Sequence, residues 1–294
     1  MATFTGTTFN EVISPDSVSP TVNRSPAGSF PGSGADSLDG GGGNDTLDGG
    51  SSDDTLLGGT GNDLLINNTG NDSLSGGDGN DTIESNNYSY DDDTLSGGAG
   101  NDVINNSNSK GSDSLDGGAG NDTISASYYG GSTIYGGEGN DYLYSYLGNT
   151  SIDGGDGADS LYGGNGNETL RGGDGDVLDA GAGNDRLIID GNAISIDGGL
   201  GSDTGLINVA VLSGVRLIAN VDAWEVAAGL APVTVQGSSG SDSLDFSTAS
   251  LPAAGSPRSS AVSATTVSSA RLATRRLAAV RETTLYLAAM APTR

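Results

Sequence analysis

The chain of 294 residues contains no cysteine and no histidine. Disulfides, zinc and copper sites, and every catalytic arrangement built on a thiol or an imidazole are therefore excluded. Basic residues are scarce, 11 against 38 acidic ones, and the net charge of −27 argues against nucleic acid and anionic membranes as partners. No apolar run approaches the ~20 residues of a membrane span. The opening MATFTGTTFNEVIS has neither the basic nor the apolar region of a Sec-type signal peptide. Proline is also rare, at 8 residues, and glycine does not recur at every third position, so a collagen helix is excluded. What the chain does have is 51 glycines and a large excess of carboxylates, which leaves oxygen as the available ligand and suits hard cations.

Those glycines and acids are organised by a nine-residue phrase, Gly-Gly-x-Gly-x-Asp-x-U-x, where U is a large aliphatic residue. It occurs in full Gly/Asp form eight times, starting at Gly40, Gly58, Gly76, Gly97, Gly117, Gly136, Gly154 and Gly198. Degenerate copies lie between them, and the acidic positions fall into two interleaved series. The first runs Asp45, Asp63, Asp81, Asp102, Asp122, Asp141, Asp159, Asp176. The second runs Asp36, Asp54, Asp72, Asp93, Asp113, Ser132, Thr150, Glu168, Asp185, Asp203. Steps within a series are 17 to 21 residues, and the two series lengthen and shorten together. A coil with two turns per rung produces this pattern, so the fold class is all-β, a solenoid.

Two residues after each acidic position comes U. It reads Leu47, Leu65, Ile83, Ile104, Ile124, Leu143, Leu161 and Leu178 in the first series. In the second it reads Leu38, Leu56, Leu74, Leu95, Leu115, Ile134, Ile152, Leu170 and Leu187. U persists even at Ser132 and Thr150, so core and ligand are separable requirements. Strands of three or four residues with U pointing inward would form two thin parallel sheets. The glycines permit turns with positive φ that wrap a cation in their own carbonyls. Stacked carboxylates would repel without a cation between them. One aliphatic residue per nine is a small core for the length of chain ordered, which predicts a chain that is disordered without metal and folded with it.

The phrase resembles the nonapeptide of the repeats-in-toxin (RTX) family, over about Pro31 to Leu206 with a fragment at Gly237–Asp245. The resemblance implies a right-handed parallel β-roll with several calcium ions between successive turns, held by Asp carboxylates and Gly-turn carbonyls. It implies type I secretion and folding in external calcium. The metal residues it implies are Asp36, Asp45, Asp54, Asp63, Asp72, Asp81, Asp93, Asp102, Asp113, Asp122, Asp141, Asp159, Asp176, Asp185 and Asp203. With them come the glycines of the intact turns: Gly41, Gly43, Gly59, Gly61, Gly77, Gly79, Gly98, Gly100, Gly118, Gly120, Gly137, Gly139, Gly155 and Gly157. The first series should form a nearly unbroken calcium row. The second should bind well at Asp36, Asp54 and Asp72 and weaken where NNYSYDDD, SNSKGSD, YYGGST and YLGNT replace the Gly phrase.

Other features have plainer readings. GxGxxG-like strings are by-products of the repeat with no helix after them, and the Asp-rich turns lack the twelfth-position Glu of an EF-hand loop. The third turn position (Gly42, Thr60, Asp78, Ala99, Ala119, Glu138, Asp156) is not the Thr row of ice-binding relatives. Tyr128, Tyr129, Tyr135, Tyr142, Tyr144 and Tyr146 read as a cross-rung surface ladder, with a sugar- or surface-binding patch as the alternative. No nucleophile–base pair is present, and the chain is read as non-enzymatic.

From Thr204 the phrase stops. The expected divisions are 1–30 lead-in, 31–206 β-roll, 207–236 irregular β cap containing Trp224, 237–250 the start of a second array, and 251–294 an anomalous tail. That tail holds six Arg, one Glu and no Asp, whereas the preceding 250 residues hold five basic and 37 acidic ones. A basic amphipathic helix is one reading. Out-of-frame translation is the preferred one: codons shifted by one base permit GGGAGNDTLSGGDGAD over Ala278–Thr293 and GGVGNDSV over Ser260–Ser268. A longer parent protein is then expected, with a C-terminal secretion signal that this reading frame lacks. The overall expectation is a secreted, extracellular calcium-binding β-roll of structural or adhesive role, its partner a cell-surface or extracellular polymer. The alternative is the non-catalytic repeat part of a larger secreted enzyme or toxin. The sequence leaves the oligomeric state open.

Overall fold

The computed structural model describes residues 2–20, 22–25, 30–85, 90–126, 129–209, 211–215, 217–226, 233–237, 243–244, 262–264 and 284–289. These residues form strands and turns with no helix. Tyr128, most of the fragment at 237–245 and most of the tail from 251 lie outside them.

Two thirteen-stranded sheets face each other. One stacks the strands that carry second-series aliphatics, such as Ser37–Gly42, Thr55–Thr60, Ser73–Asp78 and Thr94–Ala99, each parallel to the next. The other stacks shorter strands carrying the first series, such as Thr46–Asp48, Leu64–Asn67 and Thr82–Ser85. Register is one-to-one: Leu38 sits beside Leu56, Leu56 beside Leu74, and Leu47 beside Leu65. The whole is a parallel β-solenoid, as the spacing predicts.

The core is the file of U residues between the sheets. All seventeen are buried, none more than 2% exposed. The residues flanking each U point outward, because side chains in a strand alternate between faces. The seven strands of the first sheet from Ser37–Gly42 to Ser151–Asp156 are longer than three or four residues, at six each. Their pairing skips the first Gly of the turn and resumes at the second and third positions, as in Gly41 beside Gly59 and Gly42 beside Thr60. The turn is thus itself part of the ladder.

Both sheets extend beyond 31 and 206. Thr3–Thr7 pairs with Ser37–Gly42, bringing Phe4 beside Leu38, and Val12–Ile13 pairs with Thr46–Asp48, bringing Ile13 beside Leu47. A complete rung is therefore built by a stretch without the Gly phrase. Asn23–Ser25 lies antiparallel on Thr3–Thr7 and covers that end of the sheet. At the other end, Leu217–Ala219 and Ala223–Val226 continue the two sheets. Trp224 takes a core position there, 1% exposed, beside Gly205. A side chain on Gly205 would collide with the indole, so the missing volume of one rung is filled by the next. Ser243–Leu244 pairs in register with Leu217–Ala219. Val211–Val215, Val233–Gly237, Thr284–Ala289 and Val262–Ala264 form a separate four-stranded sheet.

Candidate metal centre

The turns stack into two edges, each carrying one acidic series. On the first edge the backbone of all fourteen glycines named above lies in the left-handed region, with φ from +88° at Gly41 to +149° at Gly157. These are the second and fourth positions of the phrase. Side chains there would also overlap the carbonyl of the rung before: at Gly118 the Gly98 oxygen, at Gly120 the Gly100 oxygen.

Every acidic side chain of the first series is buried, at most 3% exposed. One carboxylate oxygen of each is committed to the protein. The backbone N–H of Asp45 donates to Asp63 Oδ1 (2.7 Å), that of Asp63 to Asp81 Oδ1 (2.7 Å), and that of Asp81 to Asp102 Oδ1 (2.7 Å). The ladder continues from Asp102 through Asp122, Asp141 and Asp159 to Asp176. A second ladder runs the other way through the fifth turn position. The N–H of Asn62 donates to Asn44 Oδ1 (3.0 Å), that of Asn80 to Asn62 Oδ1 (2.9 Å), and so on through Asn101 and Asn121 to Asn140. Six of the eight full phrases have Asn there, a signal in the sequence that ligand reasoning passes over.

The other oxygen is different. Oδ2 of Asp45, Asp63, Asp81, Asp102, Asp122, Asp141 and Asp159 is buried without a hydrogen-bond partner. A buried unpaired charge is costly, so each such atom asks for a counter-charge. Over the first Gly of each turn, that oxygen meets the carbonyl of the first Gly on the next rung. A methyl group on Gly40, Gly58, Gly76, Gly97, Gly117 or Gly136 would lie no more than 2.7 Å from both. Among the described residues, no three acidic side chains converge on one point. The donor set is thus one carboxylate per turn plus backbone carbonyls, all oxygen, which fits calcium better than a softer or smaller ion. At Asp176 the row ends: its Oδ2 accepts the Gly173 N–H (2.6 Å), and Ile194 stands where the next acid would be.

Burial, reinforced by neighbouring carboxylates and opposed by the ladder hydrogen bonds, pushes Asp45, Asp81, Asp102 and Asp141 up to about 6 from an ordinary 3.8. The metal-free folded chain therefore holds protons that the unfolded chain has released. Its stability is fully present below pH ~4 and is lost as pH rises through ~6. In chelator, the far-UV circular dichroism β signal is expected at pH 4 and gone by pH 7. A signal independent of pH over this range would refute the picture of unpaired buried carboxylates.

The second edge is mixed. Asp36, Asp54, Asp72, Asp93 and Asp113 share the same backbone ladder, and Ser132 Oγ takes it over, accepting from Asp113 N–H (3.2 Å). It resumes where Glu168 N–H donates to Asp185 Oδ1 (2.7 Å) and Asp185 N–H to Asp203 Oδ1 (2.9 Å). Glu168 is 1% exposed and its carboxyl lies against that of Asp185, with no N–H or hydroxyl donor in hydrogen-bonding geometry to either Glu168 oxygen or to Oδ2 of Asp185 or of Asp203. Burial and then the Asp185 charge push Glu168 up to about 8. Glu168 belongs with the candidate ligands, although a pattern written for Asp passes it over.

The N-terminal rung is closed by Glu11. Glu11, 1% exposed, donates its N–H to Asp45 Oδ1 (2.6 Å), while its carboxylate accepts from the Thr7 N–H (3.1 Å) and hydroxyl (2.6 Å). The tyrosines divide between faces. Tyr142 and Tyr162 meet across rungs at 5.2 Å with their rings tilted by 40°, and Tyr144 meets Tyr146 edge-on at 4.3 Å. Tyr135 lies on the opposite sheet, between Asp116 and Asp153.

A family model for the RTX calcium-binding nonapeptide repeat (4 copies) matches residues 30–65, 67–87, 89–106, 109–127, 129–152, 146–176 and 175–191, together more than half of the chain. No curated protein and no solved structure matches it. With its repeat matched rung by rung and its turns stacked into a parallel β-solenoid, the chain belongs to the RTX calcium-binding nonapeptide repeat family.

Proposed function

We propose that the chain is a secreted calcium-binding β-roll that folds as it takes up calcium outside the cell and serves there as a structural or adhesive module. The row of buried, unpartnered Oδ2 atoms from Asp45 to Asp159 carries this reading. Each asks for a positive charge, and the chain has too few basic residues to supply one per turn. The ligands on the first edge are these carboxylates with carbonyls of the Gly turns. Bound calcium supplies the charge that lets the stacked acids ionise together. Its absence inside a cell, where free calcium is low, would keep the chain unfolded and exportable. The family resemblance supports type I export, and an adhesive role would take a cell-surface or extracellular polymer as partner.

Equilibrium dialysis against calcium tests the binding. The full chain is expected to take up several ions, and Asp102→Asn/Asp122→Asn to take up fewer. The substitution keeps Oδ1 for the ladder and replaces the charged, ion-facing Oδ2 with a neutral NH2. An unchanged ion count, or equal uptake of magnesium, would reject the first-edge assignment.

A further inference from the structure

The two edges differ at the first position of the turn. On the first edge it is always glycine from Gly40 to Gly154, leaving the space beside Oδ2 open. On the second edge the same position reads Gly49, Asn67, Ser85, Asn106, Ala126 and Ser145. Asn67 and Asn106 are buried, at 1% and 0% exposure. Asn67 Nδ2 donates to Asp93 Oδ2 (2.7 Å), and Asn106 Nδ2 donates to Asp113 Oδ2 (2.6 Å). The Ser109 side chain also hydrogen-bonds the Asp113 carboxylate. Oδ1 of each acid already accepts a ladder N–H at 2.9 Å.

Both oxygens of Asp93 and of Asp113 therefore have protein donors, a condition met by no first-edge acid from Asp45 to Asp159. The next two rungs carry no acid at this position. Ser132 accepts the Asp113 N–H, and the Ser145 and Thr150 hydroxyls hydrogen-bond each other at 2.7 Å. An amide N–H is a neutral donor that satisfies a buried lone pair without a metal. A cation entering this space would have to displace it or turn the amide to present its Oδ1, which in both Asn67 and Asn106 is buried without a partner.

We infer that across four consecutive rungs, Asp93 to Thr150, the second edge is a cation-independent clasp in which the Asn67 and Asn106 amides and the serine and threonine hydroxyls stand where an ion would. Ions are confined to the first edge and to the parts of the second outside this stretch, including the carboxyl oxygens of Glu168, Asp185 and Asp203. The number of ions per rung accordingly falls by one over these rungs. Asp93 and Asp113, which the repeat pattern places among the ligands, are set apart by their neighbours. The inference rests on the calcium reading above for the first edge, and the two fail separately.

The test is equilibrium dialysis of the full chain against calcium, comparing Asp93→Asn/Asp113→Asn with Asp81→Asn/Asp102→Asn. The second-edge pair is expected to leave the number of bound ions unchanged, and the first-edge pair to lower it by at least one. A loss of ions in the second-edge pair overturns the clasp. Failure of the first-edge pair to lose ions overturns the calcium reading of that edge instead, and the second-edge result still stands. Asn106→Gly provides an independent check on the amide itself. Bound calcium equal to or above that of the unsubstituted chain supports the clasp, whereas a fall identifies Asn106 as an oxygen ligand and overturns it.

Discussion

In chelator at neutral pH the chain is expected to show the circular dichroism of a disordered polypeptide, and to gain β signal cooperatively as calcium reaches ~10⁻⁴–10⁻³ M, the range of extracellular modules. Three observations lead there. Through the repeat the core is a narrow file of aliphatic side chains, one per half rung. Glycine, at 51 residues, makes ordering the backbone expensive. Against that small core stands a row of buried carboxylate oxygens with no protein partner, each of which opposes folding while ionised. A cation shared between rungs reverses the sign of that term at every turn it fills. Because each ladder hydrogen bond links one rung to the next, ordering propagates along the roll, and the transition should be steep. Magnesium, which demands tighter octahedral geometry and gives up water reluctantly, should be a poor substitute. A chain already folded in chelator would mean that the turns need no ion, and the coupling of folding to calcium would be withdrawn.

Gly118→Ala is expected to lower the thermal midpoint in saturating calcium by about 5–10 °C, or to abolish folding. Gly118 has φ of +103°, a region that costs an L-residue ~1–2 kcal/mol. Its new methyl would also overlap the Gly98 carbonyl oxygen one rung away, so strain and collision add. Moving that carbonyl disturbs the stacking of the turn that the ligands depend on, so calcium affinity should fall with stability. Ala119→Ser is the control. Its position already accepts Gly, Thr, Asp, Ala and Glu in other turns, and the change should stay within ~0.5 kcal/mol. Equal midpoints for the two variants would show that the left-handed glycines are not what shapes the turn.

The two acidic edges were largely legible in advance because their determinants are local. Glycines at fixed places and an acid two residues before an aliphatic one can be read within a single turn, and the period of 17 to 21 residues by comparing one rung with the next. Leu47 and Leu38 were recognisable as core because alternation in a strand sends every U the same way. The N-terminal rung was not legible. TFTGTTFNEVI lacks the phrase, and its place became visible only when Phe4 and Ile13 were seen beside Leu38 and Leu47. The pairing of Trp224 with Gly205 was hidden for a similar reason, since a glycine at a core position reads as a defect until its neighbour's ring is seen to fill it.

The sequence by itself determined the solenoid, its two acidic edges, its file of aliphatic core residues and the oxygen-only chemistry of its ligands. Each depends on residue type and spacing along the chain. Only the tertiary structure decided which carboxylate oxygens have protein donors and which have none. Asp81 and Asp93 look alike in the repeat, yet Oδ2 of the first is unpartnered and Oδ2 of the second is held by Asn67, which lies 26 residues away. The difference comes from groups brought together by stacking. The charge state of a buried acid is set by the donors that surround it in space, not by those beside it in the chain.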